Sequence, residues 1–235
     1  MKFVVIGDSC IDSYTYCECE RLCPEAPVPV LDIIRETKTL GMAGNVYNNL
    51  VKLTPNVELI TNPNYKKIVK TRFVESKTNH MFIRIDTKAD IAGCNLIEYE
   101  KIIADADAVI ISDYNKGFLD TYSIEIICTL NSNTFLDTKK QLGEWCSGCK
   151  FIKINQGEYN KSSKSINDFN LQDKIITTIG ESGAVYQGIN YPVSKVEIKD
   201  LSGAGDTFIA SLAFKYTETK SISDAIKFAN ECATI

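Results

Sequence analysis

Apolar residues fall in short unbroken runs, separated by stretches with a different period. KFVVIG, DAVIIS, TFLD, KFIKI and KIITTIG are compact and rich in β-branched residues. Between them lie GNVYNNLVKL, NLIEYEKIIADA and SIEIICTL, whose apolar positions recur at helical spacing. A strand that is apolar throughout must be covered on both faces, and alternation with amphipathic helices provides that cover, so the pattern predicts an α/β core with a parallel sheet.

Two stretches break the rhythm: PVPVLDIIRETKTL, around residues 27–40, and IVKTRFVESKTNHMFIRID, from Ile68 to Asp86. In the second, KTRFV and MFIRI alternate polar with apolar residues, and ESKTN between them is turn material. These stretches predict a small antiparallel sheet standing off the main body, with segments at about 13–40 and 68–86, placed to cover a cleft as a lid. No linker, internal repeat or low-complexity segment divides residues 1–235, which are expected to form one domain.

Farther along, Phe208, Ile209, Leu212, Ala213 and Tyr216 recur at helical spacing, so a helix is expected to begin near Asp206. DLSGAGD stands directly before it. A helix start presents unpaired N–H groups and the positive end of a dipole, and Gly203, Ala204 and Gly205 have no bulk to keep an anion away. The stretch reads as an anion hole for phosphate. Asp206 can then either cap the helix or take a proton from an attacking hydroxyl, and this octet alone leaves both open. Ser221 and Asp224 have capping spacing before AIKFANECA and read as structural.

Charge narrows the partners. With 26 basic against 30 acidic residues and no local basic cluster, nucleic acid is not an expected partner. The apolar run in MKFVVIGD is too short for a signal peptide or a membrane span, so a cytoplasmic protein with no membrane partner is expected. The nine cysteines are an odd number in a chain with no secretion signal, and they read as reduced thiols. Cys17, Cys19 and Cys23, like Cys146 and Cys149, lack the second half of a tetrahedral zinc site, and the only histidine, His80, is far from both groups in sequence.

DLSGAGD, Asp200 to Asp206, resembles the closing motif of the ribokinase-like (PfkB) carbohydrate kinases. Further motifs keep the family's order: GDSCID at 7–12, GMAGN at 41–45, NQGE at 155–158 and TIGESG at 178–183. Together they are far more specific than one glycine loop. The resemblance implies a three-layer sandwich with a mainly parallel sheet and a small β lid, and a kinase using ATP and Mg2+. It implies that Asp12, Gly41 and Asn45 bind sugar, and that Gly203, Ala204 and Gly205 form the anion hole with Asp206 as base. Asn155 and Glu158 would order magnesium and phosphate, Glu158 through water. Thr178, Gly180 and Gly183 would lie along the nucleotide, with Asn230 the last matching position on that side. Asp200 and Ser202 match positions that in some relatives line a monovalent-cation site, here for K+. Asp137 and Lys139 resemble the family's D-P-K, placing Lys139 near substrate or phosphate.

Within the family, CPEAPVPVLDI, KTRFVESKTNHMFIRID and ISDYNKGFLD are similar to the kinase domain of the bifunctional enzymes of ADP-heptose synthesis. That likeness implies ATP-dependent phosphorylation of O1 of D-glycero-D-manno-heptose 7-phosphate, giving the 1,7-bisphosphate. A sugar that already carries a phosphate demands a cation, and Lys116 beside Asp113, Arg84 and Lys70 are the candidates. Each has a plainer reading as a solvated basic side chain, and Asp12 has one as a tie for a neighbouring turn.

Three departures bear on this. Met42 replaces the second glycine of the sugar-binding turn, and the stretch between Leu53 and Lys70 is shorter than in relatives. After KFANECATI the family continues with a segment that covers adenine, and the adenylyltransferase half does not follow, so a shortened stand-alone kinase with weakened nucleotide affinity is expected. The alternatives are a degenerate, non-catalytic sugar-phosphate-binding module and a kinase for another sugar. Retention of Asp206, NxxE and the glycine turn argues for catalysis. A lid exchanged between two copies would make a homodimer.

Overall fold

The computed structural model describes residues 1–193 and 203–234. In chain order it has β1 (Phe3–Gly7), β2 (Ser9–Leu22), β3 (Pro29–Met42), α1 (Ala43–Val51), β4 (Val57–Thr61), β5 (Val69–Glu75) and β6 (Met81–Asp86). Then come α2 (Glu100–Ala104), β7 (Ala108–Asp113), α3 (Thr121–Leu130), β8 (Thr134–Thr138), β9 (Phe151–Asn155) and α4 (Gln156–Asp168). Last are β10 (Ile175–Thr178), β11 (Ala184–Tyr186), β12 (Ile189–Tyr191), α5 (Ala204–Thr219) and α6 (Ile222–Ala233).

The main sheet runs β12-β11-β10-β9-β8-β7-β1-β4, parallel from β4 to β10 and antiparallel at β11 and β12. This is the α/β core that the apolar runs predict. Alternate residues of each central strand enter different cores, because side chains of a strand alternate across the sheet. Phe3, Val5, Ile110, Phe135 and Phe151 meet α1, α5 and α6 on one face. Val4, Ile6, Ile111, Leu136 and Ile152 meet α3 and Ile166 of α4 on the other. The expected apolar positions of α5 fall where their spacing puts them, with Phe208, Ile209, Leu212 and Ala213 buried. Ser221 caps α6, its Oγ accepting from the Asp224 N–H at 3.3 Å. The helix expected in NLIEYEKIIADA is shorter than its pattern. Tyr99, at φ −117°, separates a 3-10 turn at Leu96–Glu98 from α2.

A second sheet has the order β3-β2-β5-β6. The hairpin β5/β6 forms where KTRFV and MFIRI predict it, and β2/β3 makes another antiparallel pair. These two pairs are joined by a parallel pairing of β2 with β5, which the alternation did not foretell. Register puts Asp12, Lys70 and Asp86 in one row across the sheet and Tyr14, Arg72 and Arg84 in the next row on the same face. β2 starts two residues after β1 ends, so this face is carried to the C-terminal end of the main sheet. No helix among the described residues is long and apolar enough to cross a membrane.

Candidate active site

β1 lies between β4 and β7. Connections from β1 therefore diverge, and in an open α/β sheet the crevice outside such a reversal is where ligands collect. Asp8, the residue after β1, is 1 % exposed at this point. Its Oδ2 accepts the N–H of Tyr114 at 2.9 Å and of Lys116 at 3.2 Å, and its Oδ1 accepts the N–H of Phe118 at 3.1 Å. Burial pushes the Asp8 carboxyl above its ordinary value, and these amides pull it back. One carboxylate thus pins the loop after β7 and fixes where Tyr114 points.

Tyr114 meets the start of α5. Gly203, the N-cap, has φ 88°, a left-handed value that favours glycine, and a Cβ there would come within 2.7 Å of Asn45 Nδ2. Among the described residues no side chain caps the helix, which leaves its first amides toward the site. Asp206, 6 % exposed, is held at both oxygens. Asn45 Nδ2 donates to Oδ2 at 2.9 Å and the Tyr114 hydroxyl donates to Oδ1 at 2.8 Å. Burial is the main cause of a raised Asp206 pKa, with the Asp137 charge adding to it; Asn45, Tyr114 and the Lys153 charge oppose it.

Beneath the anion hole stands a lysine that sequence reasoning passed over. Lys153 of β9 is 4 % exposed, pairs with Asp137 Oδ2 at 2.8 Å, and comes so near Gly205 that a Cβ there would lie 2.8 Å from its Nζ. The other Asp137 oxygen is buried with no hydrogen-bond partner among the described residues. A lysine inside FIKI gives no sign in sequence of which face it takes.

On the far side of Asp206 lies a cavity of about 350 Å³, lined by Lys139, Lys153, Asn155, Thr178, Gly180, Gly183, Gly203 to Asp206, and Asn230. Asn155 caps α4 in a capping box with Glu158, each accepting the other's backbone N–H at 2.9 Å. The remaining Glu158 oxygen accepts from Lys139 Nζ at 2.6 Å. Asn230 Nδ2 donates to the Tyr191 carbonyl at 2.7 Å, which ties α6 to β12.

The second sheet contributes the opposite wall. Arg72 pairs with Asp12 at 2.6 Å, and Gly41 faces the Asp12 carboxylate. The Lys70 ammonium lies 5.2 Å from the Tyr114 ring centre and the Lys139 ammonium 5.7 Å from it. Arg84 grips Asp86 through two bonds of 2.7 Å on the same face of the sheet. Met42, in place of a glycine of the sugar-binding turn, does not put its side chain on the sugar side. At φ 58° its side chain turns inward and is buried against Cys10 and Ile68.

Two expectations are not brought to the cavity. Asp113 is buried with its oxygens taken by Lys140 Nζ at 2.7 and 2.8 Å and by Thr138 Oγ1 at 2.5 Å, so its charge holds a loop. Lys116 is exposed, and its partner is not Asp113. Asp200 and Ser202 lie outside the described residues.

A mainly parallel sheet covered by helices, a small second sheet and a buried acid on a glycine-led helix define the class as an α/β protein with its acid at the cleft between two sheets. Residues 127–235 match the pfkB family carbohydrate kinase, so this part of the chain carries a PfkB family domain. A Helicobacter pylori relative described as bifunctional protein HldE is 32% identical over 289 residues, covering 100% of this chain and 62% of its own length. The chain therefore spans under two thirds of that relative, which is also longer within the matched span. Arabidopsis thaliana ribokinase complexed with ribose and ATP has the same fold, with TM-score 0.68 at 14% identity over 99% of this chain and 91% of that one. So has Escherichia coli phosphofructokinase-2 in complex with potassium, with TM-score 0.68 at 14% identity over 98% of this chain and 91% of the other.

Proposed function

We propose that the chain is an ATP-dependent kinase that phosphorylates O1 of a heptose 7-phosphate to the 1,7-bisphosphate. The observation that carries this reading is the position of Asp206, at a glycine-led helix start between a cavity of nucleotide size and a sheet face bearing Asp12, Lys70 and Arg84. Phosphoryl transfer needs an aligned nucleophile, neutralised charge and exclusion of water. In this reading the sugar lies against Asp12 and the second sheet, with its O1 hydroxyl toward Asp206. Its phosphate meets Lys70 and Arg84, the latter after exchanging Asp86 for the ligand, since a guanidinium grips either anion with two parallel bonds. Lys116, solvated, has the weaker claim.

ATP would occupy the cavity beside Thr178, Gly180, Gly183 and Asn230, with its terminal phosphate on the amides of Gly203 to Asp206 and near the Lys153 ammonium. Asp206 takes the O1 proton late in the transfer, so a weak base suffices. The residues suit magnesium held through water: both Glu158 oxygens are already bonded, while the buried Asp137 oxygen has a lone pair to offer a water. When bound, magnesium neutralises charge on the phosphates. Two copies sharing the second sheet would form a homodimer, and Asp200 with Ser202 would hold K+.

ADP release from ATP and magnesium with heptose 7-phosphate tests the reading. Asp206→Asn is expected to lower turnover by about 10²–10⁴-fold, the usual contribution of a general base. Turnover equal in the two proteins would refute the base, and sugar phosphate binding with no turnover in either would leave the non-catalytic module.

A further inference from the structure

The base is held by two unlike partners. Asn45 belongs to α1 and packs against Gly203, so it is fixed on regular structure. Tyr114 belongs to the loop after β7, is half-buried, and has its ring between Lys70 of the second sheet and Lys139 of the main body. A sugar hydroxyl that is to give its proton to Asp206 must bond one of its oxygens, and each of them, holding one donor here, keeps a lone pair for it. Of the two donors, the tyrosine is the one carried on a loop.

We propose that Tyr114 is a positioning residue for the base: its hydroxyl keeps one Asp206 oxygen in aim for the sugar hydroxyl, and its ring ties that bond to the second sheet. The inference rests on the reading of Asp206 as base. Its physical content is that a hydrogen bond to a carboxylate favours the ionised form. Around Asp206 stand Asn45 from α1, Asp137 from β8, Lys153 from β9 and the Tyr114 hydroxyl. Asn45 and Lys153 also favour ionisation and Asp137 opposes it, so losing the tyrosine hydroxyl shifts the balance toward the protonated acid. The ring adds a second link. Lys70 is in register with Asp12, so a sugar phosphate that engages Lys70 acts on an ammonium that lies over the ring of the residue aiming the base.

Tyr114→Phe keeps the ring and removes only the hydroxyl. NMR titration of isotopically labelled aspartate carboxyls, with Asp206→Asn to assign the signal, reads the hold without any turnover. The Asp206 midpoint is expected to rise in Tyr114→Phe, and an unmoved midpoint overturns the proposal. If the phenylalanine variant fails to fold, Tyr114→Leu must show the same rise. In the ADP-release assay the acid limb of the pH profile should move upward with it and kcat fall about tenfold, with the KM for ATP unchanged. A shifted midpoint in a protein that turns over no heptose phosphate would support the hold on Asp206 and sink the heptose reading instead. A lower kcat with an unmoved acid limb would mean a merely structural tyrosine and overturns the proposal.

Discussion

Asp206 meets opposing demands at a single carboxylate. A base for an alcohol must be ionised when the sugar arrives, yet burial favours its neutral form, which is why its pKa is raised. At low pH the acid is protonated in both folded and unfolded chains, and the preference of the folded state for that proton contributes fully to stability. As pH rises from the unfolded value through the folded one, the unfolded chain ionises first and the folded acid only later, against burial, so that contribution is lost. Asp206→Asn is therefore expected to melt above wild type at about pH 8, with the advantage shrinking toward about pH 4, where ordinary carboxylates protonate. Thermal melts across that range check it; an advantage that grows as pH falls would contradict the direction of the shift. Asp206 itself was legible, because a glycine turn before an apolar helix is a local pattern. Its supports were not. Tyr114 lies 92 positions away, and Lys153 sits in a strand whose two-residue period leaves its face undecided. Arg72 was likewise passed over, since only strand register shows that it, and not a more distant cation, reaches Asp12.

At the level of elements, local periodicity served well wherever one element packs one face. The helices α1, α3 and α5 and the hairpin β5/β6 appear where apolar spacing puts them. What spacing does not encode is which distant strand pairs with which, as with β2 beside β5. Nor does it show that the loop after β7 is held by Asp8, whose three accepted amides come from residues more than a hundred positions away. Asp8→Ala would leave those amides unpaired in a buried place. The expected cost is about 3 kcal/mol, given roughly 1–3 kcal/mol per unsatisfied buried group with partial relief by water. Denaturant unfolding measures it, and proteolysis between Tyr114 and Phe118 should accelerate. A loss below about 0.5 kcal/mol, the range of ordinary surface changes, would show that the loop holds without Asp8.

Across the whole molecule, burial is uneven. β1 and β7 are buried along their full length, whereas the end of β2, from Cys19 to Leu22, and most of β3 are exposed. Local stability follows buried contact, so hydrogen exchange should be slowest in β1, β7 and β8 and orders of magnitude faster at Cys19 to Leu22 and along β3. Uniform protection through both sheets would mean that they open as one unit. Ligands that engage Lys70 and Asp12 should slow exchange in β2 and β5 selectively.

The place of β1 inside the main sheet has a consequence for how the protein is made. The Phe3 and Phe214 ring centres lie 6.1 Å apart, and β1 is flanked by β7, so a strand translated before both is enclosed by segments that emerge much later. Until β7 has left the ribosome, the apolar face of FVVIG has only β4 beside it, and until α5 follows, its Phe3 side is open. Such a nascent chain exposes a bare strand edge for most of its synthesis, the state in which chaperone capture competes with aggregation. Slowing translation ahead of β7 would lengthen that exposure, and slowing it after α5 would not.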